Sequence, residues 1–251
     1  MENSIDEKLL IARAADTAML CEKQYTIKIM GFLTPAEVSV ISKNMPSGDV
    51  RRFFFGGYAE AERKLFVAMP EYADDSDLEE FITPLEITGR ELGTLSHRDF
   101  LGSILGLGLK REKIGDILVY EDKAVVFALS DIADYIVTNL QKIGRCGVKI
   151  QKKTLCDIEL PQRRSETFNV TVASMRIDCV VAAATRLSRT KVMEILASGR
   201  VALNWLECKS PSVTVKTGDV FSIRGMGKFC VGTELRETKK GRLAIEIEKM
   251  L

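Results

Sequence analysis

Between Arg176 and Arg224 the spacing of apolar residues switches from helical to alternating, and this stretch constrains the fold more than any other. Ile177, Val180, Val181, Ala184 and Leu187 fall on one helical stripe. Leu187-Ser188-Arg189 interrupts it, and Ser188 is placed to cap a second helix that buries Val192, Ile195 and Leu196. Gly199 follows, where a left-handed cap needs no side chain. Arg200 to Trp205 then predicts a strand, Gly218-Asp219 a turn, and Val220 to Arg224 a second strand, with Lys228 to Val231 and Leu243 to Ile247 as further strands. Residues 174–251 are therefore expected to form an αα-β domain.

That pattern leaves Arg176, Arg189, Lys191, Arg200, Lys209 and Arg224 off the apolar stripes or at element ends. Arg176 opens the first helix, and Arg189 and Lys191 sit in the first turn of the second. Cations at a helix N-terminus run against the macrodipole. The placement makes sense where phosphates approach and meet both side chains and free backbone N–H groups. Lys228 and the cluster Lys239, Lys240 and Arg242 extend the cationic set. The charge distribution agrees: residues 1–89 hold 9 Lys/Arg against 16 Asp/Glu, whereas residues 174–251 hold 14 against 8. An acidic head and a basic tail suit a polyanionic partner at the C-terminal end; the competing reading is a basic surface that only solvates.

Upstream, Ile5 to Gln24 has a helical pattern with Leu9, Leu10, Ala14, Ala18 and Cys21 near one face. Thr34-Pro35-Ala36-Glu37 is a helix start with a capping box. Val50 to Phe55 and Arg63 to Met69 predict strands around Gly56-Gly57, and Pro70 to Glu80 an acidic loop or short helix. Residues 1–80 are read as an α/β domain. In residues 81–165 the order is β-α-β-β-α-β: Phe81 to Thr88, a helix capped by Ser96, a hairpin around Glu121-Asp122-Lys123, an amphipathic helix from Ser130 to Ile143, and Gly147 to Lys152. That is the ferredoxin-like order that RNA-recognition domains use, although no aromatic RNA-binding strand stands out. Residues 152–173 read as a linker, and the whole chain as α+β.

Several chemistries are excluded. The six cysteines form no CxxC pair and His97 is the single histidine, so no metal centre is expected. His97-Arg98-Asp99 matches three letters of a kinase catalytic loop, but no nucleotide loop precedes it and no Asp-Phe-Gly follows. Gly102, Gly106 and Gly108 leave a helix and lack a following Lys-Ser/Thr, so they are turn and packing glycines. Lys110, Arg111 and Lys113 are a possible second RNA patch, or a solvated loop. No apolar run approaches the ~18 residues of a membrane span, and the acidic start from Met1 to Glu7 does not have the form of a signal peptide. No cofactor, no catalytic residue and a cytoplasmic location are expected.

Arg176-Ile177-Asp178, Leu187-Ser188-Arg189, Ser198-Gly199-Arg200-Val201, Asn204, Gly218-Asp219 and Ile223-Arg224-Gly225 together resemble the S-four RNA-binding domain. That resemblance adds Ser188 and Asn204 to the expected RNA-binding set; where the wider family has Asn-Gly, this chain has Asn204-Trp205. Phe32-Leu33-Thr34-Pro35, Gly56-Gly57-Tyr58, Ala61-Glu62-Arg63, Leu95 to Gly102, Lys110 to Asp116 and Thr238-Lys239-Lys240 are in turn similar to the bacterial YlmH family. The resemblance implies an N-terminal domain, a central RNA-recognition-like domain and a C-terminal S-four domain. It implies a protein that binds large ribosomal subunits still carrying stalled peptidyl-tRNA; a non-enzymatic monomer that contacts large-subunit rRNA and tRNA is expected. The alternatives are an RNA-modifying enzyme delivered by the basic module and a cell-division adaptor.

Overall fold

The structure is a computed structural model that describes residues 6–45, 47–90, 92–161, 165–237 and 241–250. Its contacts divide the chain into two compact units, Met1–Pro161 and Gln162–Leu251.

The first unit opens with α1 (Glu7–Gln24), β1 (Lys28–Ile29), α2 (Pro35–Lys43), β2 (Arg51–Phe55) and β3 (Leu65–Met69). Thr34 caps α2 as expected: its hydroxyl accepts from the Glu37 N–H at 3.3 Å, and the Glu37 carboxylate accepts from the Thr34 N–H at 2.6 Å. The three strands form a sheet in the order β1-β3-β2. Leu10, Ala14, Ala18 and Cys21 of α1 are buried, but Leu9 is 58% exposed. It lies in the first turn, where the Asp6 carboxylate accepts from its N–H at 3.1 Å, and it points about 100° around the helix from Leu10, which packs with Phe66.

The unit continues with β4 (Ile82–Gly89), α3 (His97–Leu105), β5 (Ile114–Val119), β6 (Lys123–Leu129), α4 (Ser130–Asn139), β7 (Lys142–Ile143) and β8 (Cys146–Lys152). The antiparallel order β5-β6-β4-β8-β7 contains the ferredoxin-like arrangement, with β7 as an extra edge. The expected helix from Ser130 to Ile143 stops at Asn139. Leu140 and Ile143 keep the apolar spacing and are buried, but Lys142-Ile143 pairs with Cys146-Gly147 across a turn at Gly144, whose φ is +57°. Periodicity alone does not separate a last helical turn from a tight hairpin.

The expected boundary near residue 80 is bridged by a shared cluster, beside one cluster that lies wholly within each segment. Every residue of β3 is buried. Phe66 packs among the helices α1 and α2 with Leu10, Ala14 and Ile41, whereas Leu65, Val67 and Met69 meet Val125, Phe127 and Leu129 of β6. A strand buried on both faces reads as a continuous apolar run. The segments 1–80 and 81–161 are thus stacked layers of one unit.

The second unit begins inside the segment read as a linker. Ser165–Val172 is β9, whose eight residues all pair antiparallel with β14; Phe168, Val170 and Val172 alternate inward with polar Thr167, Asn169 and Thr171, a period-two signal that the linker reading leaves out. Arg163-Arg164 lie outside the described residues. Then come α5 (Ile177–Thr185), α6 (Arg189–Ala197), β10 (Val201–Leu203), β11 (Leu206–Glu207), β12 (Val220–Ile223), β13 (Gly227–Glu237) and β14 (Leu243–Met250). The sheet order is β11-β10-β12-β13-β14-β9. Val180, Val181, Val192 and Ile195 of the helix pair close over Phe221, Phe229, Ile245 and Ile247. Gly199 takes the left-handed conformation after α6, at φ +66°, as its position predicted.

Candidate nucleic-acid interface

Asp178 organises the exposed start of the two C-terminal helices. It lies in the first turn of α5 at 4% exposure and is the one buried charged residue among the described residues. Arg176, at the N-cap, donates to its two carboxylate oxygens from Nε at 3.0 Å and a terminal nitrogen at 3.1 Å. Arg189, the first residue of α6, donates from the other helix at 3.3 Å. Burial would raise the Asp178 carboxyl, but the hydrogen bonds from Arg176 and Arg189 overcome it and hold the group below the ordinary carboxylate range. The two guanidinium side chains stay 43% and 74% exposed. Both helix starts therefore present an oriented cation, an arrangement suited to phosphate oxygens, although at α5 the Ile177 and Asp178 N–H groups already donate to the Val213 and Pro211 carbonyls. Asp178 was absent from the expected site, because in sequence it reads as an ordinary acid in the first turn of a helix.

The other expected residues fall into distinct groups. Ser188 caps α6, its hydroxyl accepting from the Lys191 N–H at 3.3 Å. Lys191 pairs with Glu194 at 2.7 Å and Lys209 with Glu207 at 2.7 Å, both at exposed positions. Arg200 and Arg224 face each other across β10 and β12: the Arg200 guanidinium donates to the Arg224 carbonyl at 2.9 Å, and the Arg224 N–H to the Arg200 carbonyl at 3.0 Å. Lys228 starts the adjacent β13 and Arg242 is exposed before β14. Lys239 and Lys240 lie outside the described residues. Asn204 has a structural role: its amide donates to Asp219 at 2.9 Å and accepts from the Val220 N–H at 3.0 Å. Asn204 and Trp205 both have positive φ, +47° and +64°, so the two-residue hairpin forms without glycine.

The second basic patch is largely drawn into the fold. Arg111 donates to the Ile114 and Gly115 carbonyls, and burial, reinforced by Arg63, lowers its guanidinium to about 10. Lys113 pairs with Asp131. Lys110 sits just ahead of the short turn Arg111–Lys113. Nearby, a one-residue shift of register in β5 between Ile114 and Ile117 aims Asp116 at the N-terminal layer. There Asp116 accepts from the Tyr58 hydroxyl at 2.7 Å and from the Glu62 and Arg63 N–H groups at 2.7 and 3.0 Å. Arg63 donates to the Ile114 carbonyl at 3.1 Å and the Phe32 carbonyl at 2.6 Å. This is a polar seam between layers rather than a free patch. His97, at the start of α3, is lowered by burial and by Arg111, so its imidazole is neutral at neutral pH.

The absence of an aromatic RNA-binding strand also has a structural reason. RNA-recognition sheets stack bases on the face away from their helices. Here Val125, Phe127 and Leu129 on that face are at most 6% exposed. Tyr58 lies against Phe127 at 5.0 Å between ring centroids, and a Cβ on Gly57 would stand 3.1 Å from the same ring. The N-terminal layer occupies the stacking platform.

Among the described residues no group of three His, Cys, Asp or Glu could hold a metal ion, and no helix is long and apolar enough to cross a membrane. Cys21, Cys208 and Cys230 are raised by burial, which disfavours the reactive thiolate.

Residues 79–157 match the family model described as "Putative RNA-binding domain in YlmH". The chain is similar to the solved structure "Cell division protein ylmH from Streptococcus pneumoniae", with a TM-score of 0.53 and 22% identity over 63% of this chain and 98% of that one, a likeness of fold. It is also 34% identical, over 246 residues, to "Ribosome-associated protein quality control protein P2" of Bacillus subtilis (strain 168), covering 97% of this chain and 95% of the relative. Identity at that level along nearly the full length of both chains places this protein in the YlmH family.

Proposed function

We propose that the protein is a non-enzymatic, cytoplasmic RNA-binding factor of the large ribosomal subunit. It grips structured rRNA and tRNA through the C-terminal unit during rescue or quality control of stalled peptidyl-tRNA. The observation that carries this reading is the pair of guanidinium groups oriented by Asp178 at the starts of α5 and α6. The order of α5, α6, β10 and β12 is the αα-β order of the S-four domain, and the Bacillus relative is named for ribosome-associated quality control. Phosphate contacts from Arg176, Arg189, Arg200 and Arg224 would supply salt-sensitive affinity, and the shape of the RNA the selectivity. The protein acts as a monomer in this reading. The covered sheet face of the first unit implies that base stacking there is not the mode of binding.

The test is crosslinking in cells followed by sequencing of the attached RNA, for wild type and an Arg189→Ala/Arg200→Ala variant. Crosslinks concentrated on large-subunit rRNA and tRNA, and lost in the variant, support the proposal. Scattered crosslinks equal in both refute it and favour an adaptor role for the acidic N-terminal layer.

A further inference from the structure

An open cleft of about 550 Å³ lies in the C-terminal unit where the end of α5 faces the sheet. Small-ligand sites span roughly 300–1,000 Å³. Phe168 of β9 and Met226 of the β12–β13 turn, both half-buried, contribute apolar and aromatic surface. Arg186, exposed just after α5, and Lys249 of β14 contribute cations. Lys249 stands directly opposite Glu166 on one side and Phe229 on the other, so a phenyl ring, an ammonium and a carboxylate share one cross-strand row. Phe168 follows Glu166 by two positions and faces the same way.

We infer that this cleft seats a single unpaired RNA nucleotide, bulged out of the structured RNA that the C-terminal unit is proposed to bind. The inference rests on that reading and adds a site to it. A paired stem offers phosphates to the exposed cations but cannot fill a concavity lined by Phe168 and Met226. An extruded base can lie against the phenyl ring, as unpaired bases do on aromatic side chains. Its phosphate then reaches Arg186 and Lys249. The Glu166 carboxylate accepts from an exocyclic amine or the 2′-hydroxyl, a donor that DNA lacks. The cleft is also continuous with the expected RNA surface. Gly225 lines it, and a Cβ there would stand 3.9 Å from the Arg200 guanidinium that is tied to the Arg224 carbonyl.

The test uses the full chain and two fluorescein-labelled RNA hairpins that differ by one bulged uridine in the stem, with binding read by anisotropy in moderate salt. Wild type is expected to bind the bulged hairpin about tenfold more tightly, in line with stacking of one base on an aromatic ring. Phe168→Ala should abolish that preference and leave affinity for the paired hairpin within about twofold, a stacking-specific loss. Lys249→Glu, at a site outside the core, should reduce the preference as well, with folding of both variants checked by circular dichroism. A 5-iodouridine at the bulge should photocrosslink to the peptides containing Phe168 or Met226. Equal wild-type affinity for the two hairpins overturns the inference, as does equal loss on both in a folded variant. Failure of wild type to bind either hairpin refutes the RNA-binding reading itself, and the nucleotide site with it.

Discussion

Asp178 and Arg176, two residues apart at the start of α5, form a two-point contact in which both carboxylate oxygens accept from one guanidinium, at 3.0 and 3.1 Å. The carboxylate is buried, while the guanidinium is open to solvent on its far side. Arg189 shares the same acceptor from α6. Asp178→Ala should therefore have two consequences. The C-terminal unit should lose about 1–3 kcal/mol of stability, the range for hydrogen bonds to a charged group, with solvent screening of the arginines favouring the lower end. RNA affinity should also fall, although Asp178 itself is too buried to touch phosphate. Urea denaturation followed by fluorescence of Trp205, the single tryptophan, reads the first effect in the unit concerned. Undiminished affinity in a folded Asp178→Ala chain would show that orientation of the arginines is unimportant.

The same contact sets a pH dependence. The folded carboxyl lies below its ordinary range, so near pH 4 the unfolded chain binds more protons at this position than the native one. The stabilisation is complete above the unfolded aspartate value of about 3.9 and disappears as pH falls through the depressed folded value. The stability difference between wild type and Asp178→Asn, measured through Trp205, should hold constant from neutral pH down to about 4.5 and close below it. A gap that persists undiminished at pH 3 would place its origin in packing rather than in charge.

Loss of cation contacts has a different signature from loss of the fold. Arg189 is 74% exposed along its side chain, and Arg200 is exposed beside Gly225. Replacing both with alanine removes one of the hydrogen bonds to Asp178 and the bond to the Arg224 carbonyl, but Arg176 still holds the carboxylate, so the cost in stability should be only about 1 kcal/mol. The double replacement should lower the slope of log affinity against log salt by about 2, close to one for each phosphate contact removed. A binding series between 50 and 200 mM salt measures it, on the scale where such contacts dominate. An unaltered slope would mean that neither arginine meets a phosphate.

How far the sequence revealed this molecule depended on the range of the interactions. The stripe Ile177, Val180, Val181 and Ala184, the cap at Ser188 and the left-handed Gly199 are local devices, and each sits where its spacing predicted. So does the capping box of Thr34 and Glu37. What was hidden is non-local. β9 alternates legibly through Phe168, Val170 and Val172, but its eight partners lie on β14, beyond both helices, and no local window shows that pairing. The shared core of the first unit depends on β3 meeting β6, contacts that no local window contains. The arginines at the helix starts were legible by their conflict with the macrodipole, but the carboxylate that holds them was not, because Asp178 reads as an ordinary first-turn acid. Arg111 and Lys113 resembled free cations for the converse reason: their acceptors, backbone carbonyls and Asp131, are placed by the turn and by α4.

The β10–β11 hairpin carries strain that a single substitution should release. Trp205 has φ +64° with a bulky side chain that is 41% exposed, and the left-handed region costs a non-glycine residue on the order of 1 kcal/mol. Trp205→Gly should thus stabilise the C-terminal unit by about 0.5–1 kcal/mol, less the added flexibility of glycine in the unfolded chain. Asn204→Ala should do the reverse. It keeps the positive φ but removes the amide that links Asp219 to the Val220 N–H. As Trp205→Gly removes the tryptophan, circular dichroism in urea is the appropriate measurement for both variants. Destabilisation by Trp205→Gly would mean that the indole contributes packing greater than the backbone strain.

Asp116 should prove to be the residue on which the two layers of the first unit depend most. Its carboxylate accepts from a side chain and two backbone N–H groups of the N-terminal layer, and the bulge that aims it, at Gly115-Asp116, has no room for a side chain at Gly115, where a Cβ would approach the Phe32 ring to 2.7 Å. Asp116→Ala leaves the Tyr58 hydroxyl and the Glu62 and Arg63 N–H groups without their acceptor, and also removes a negative charge facing the partly buried Arg63 and Arg111. The expected cost is about 2–3 kcal/mol, the upper range for charged hydrogen bonds in a position only partly screened. Tyr58→Phe removes one of the three bonds and should cost about 1 kcal/mol. Hydrogen exchange locates the effect. In Asp116→Ala the Glu62 and Arg63 amides should lose protection first, and exchange in the C-terminal unit should stay at its wild-type rate, because the two units hold separate cores. Faster exchange throughout both units would mean that the seam supports the whole chain and not the stacking of these two layers.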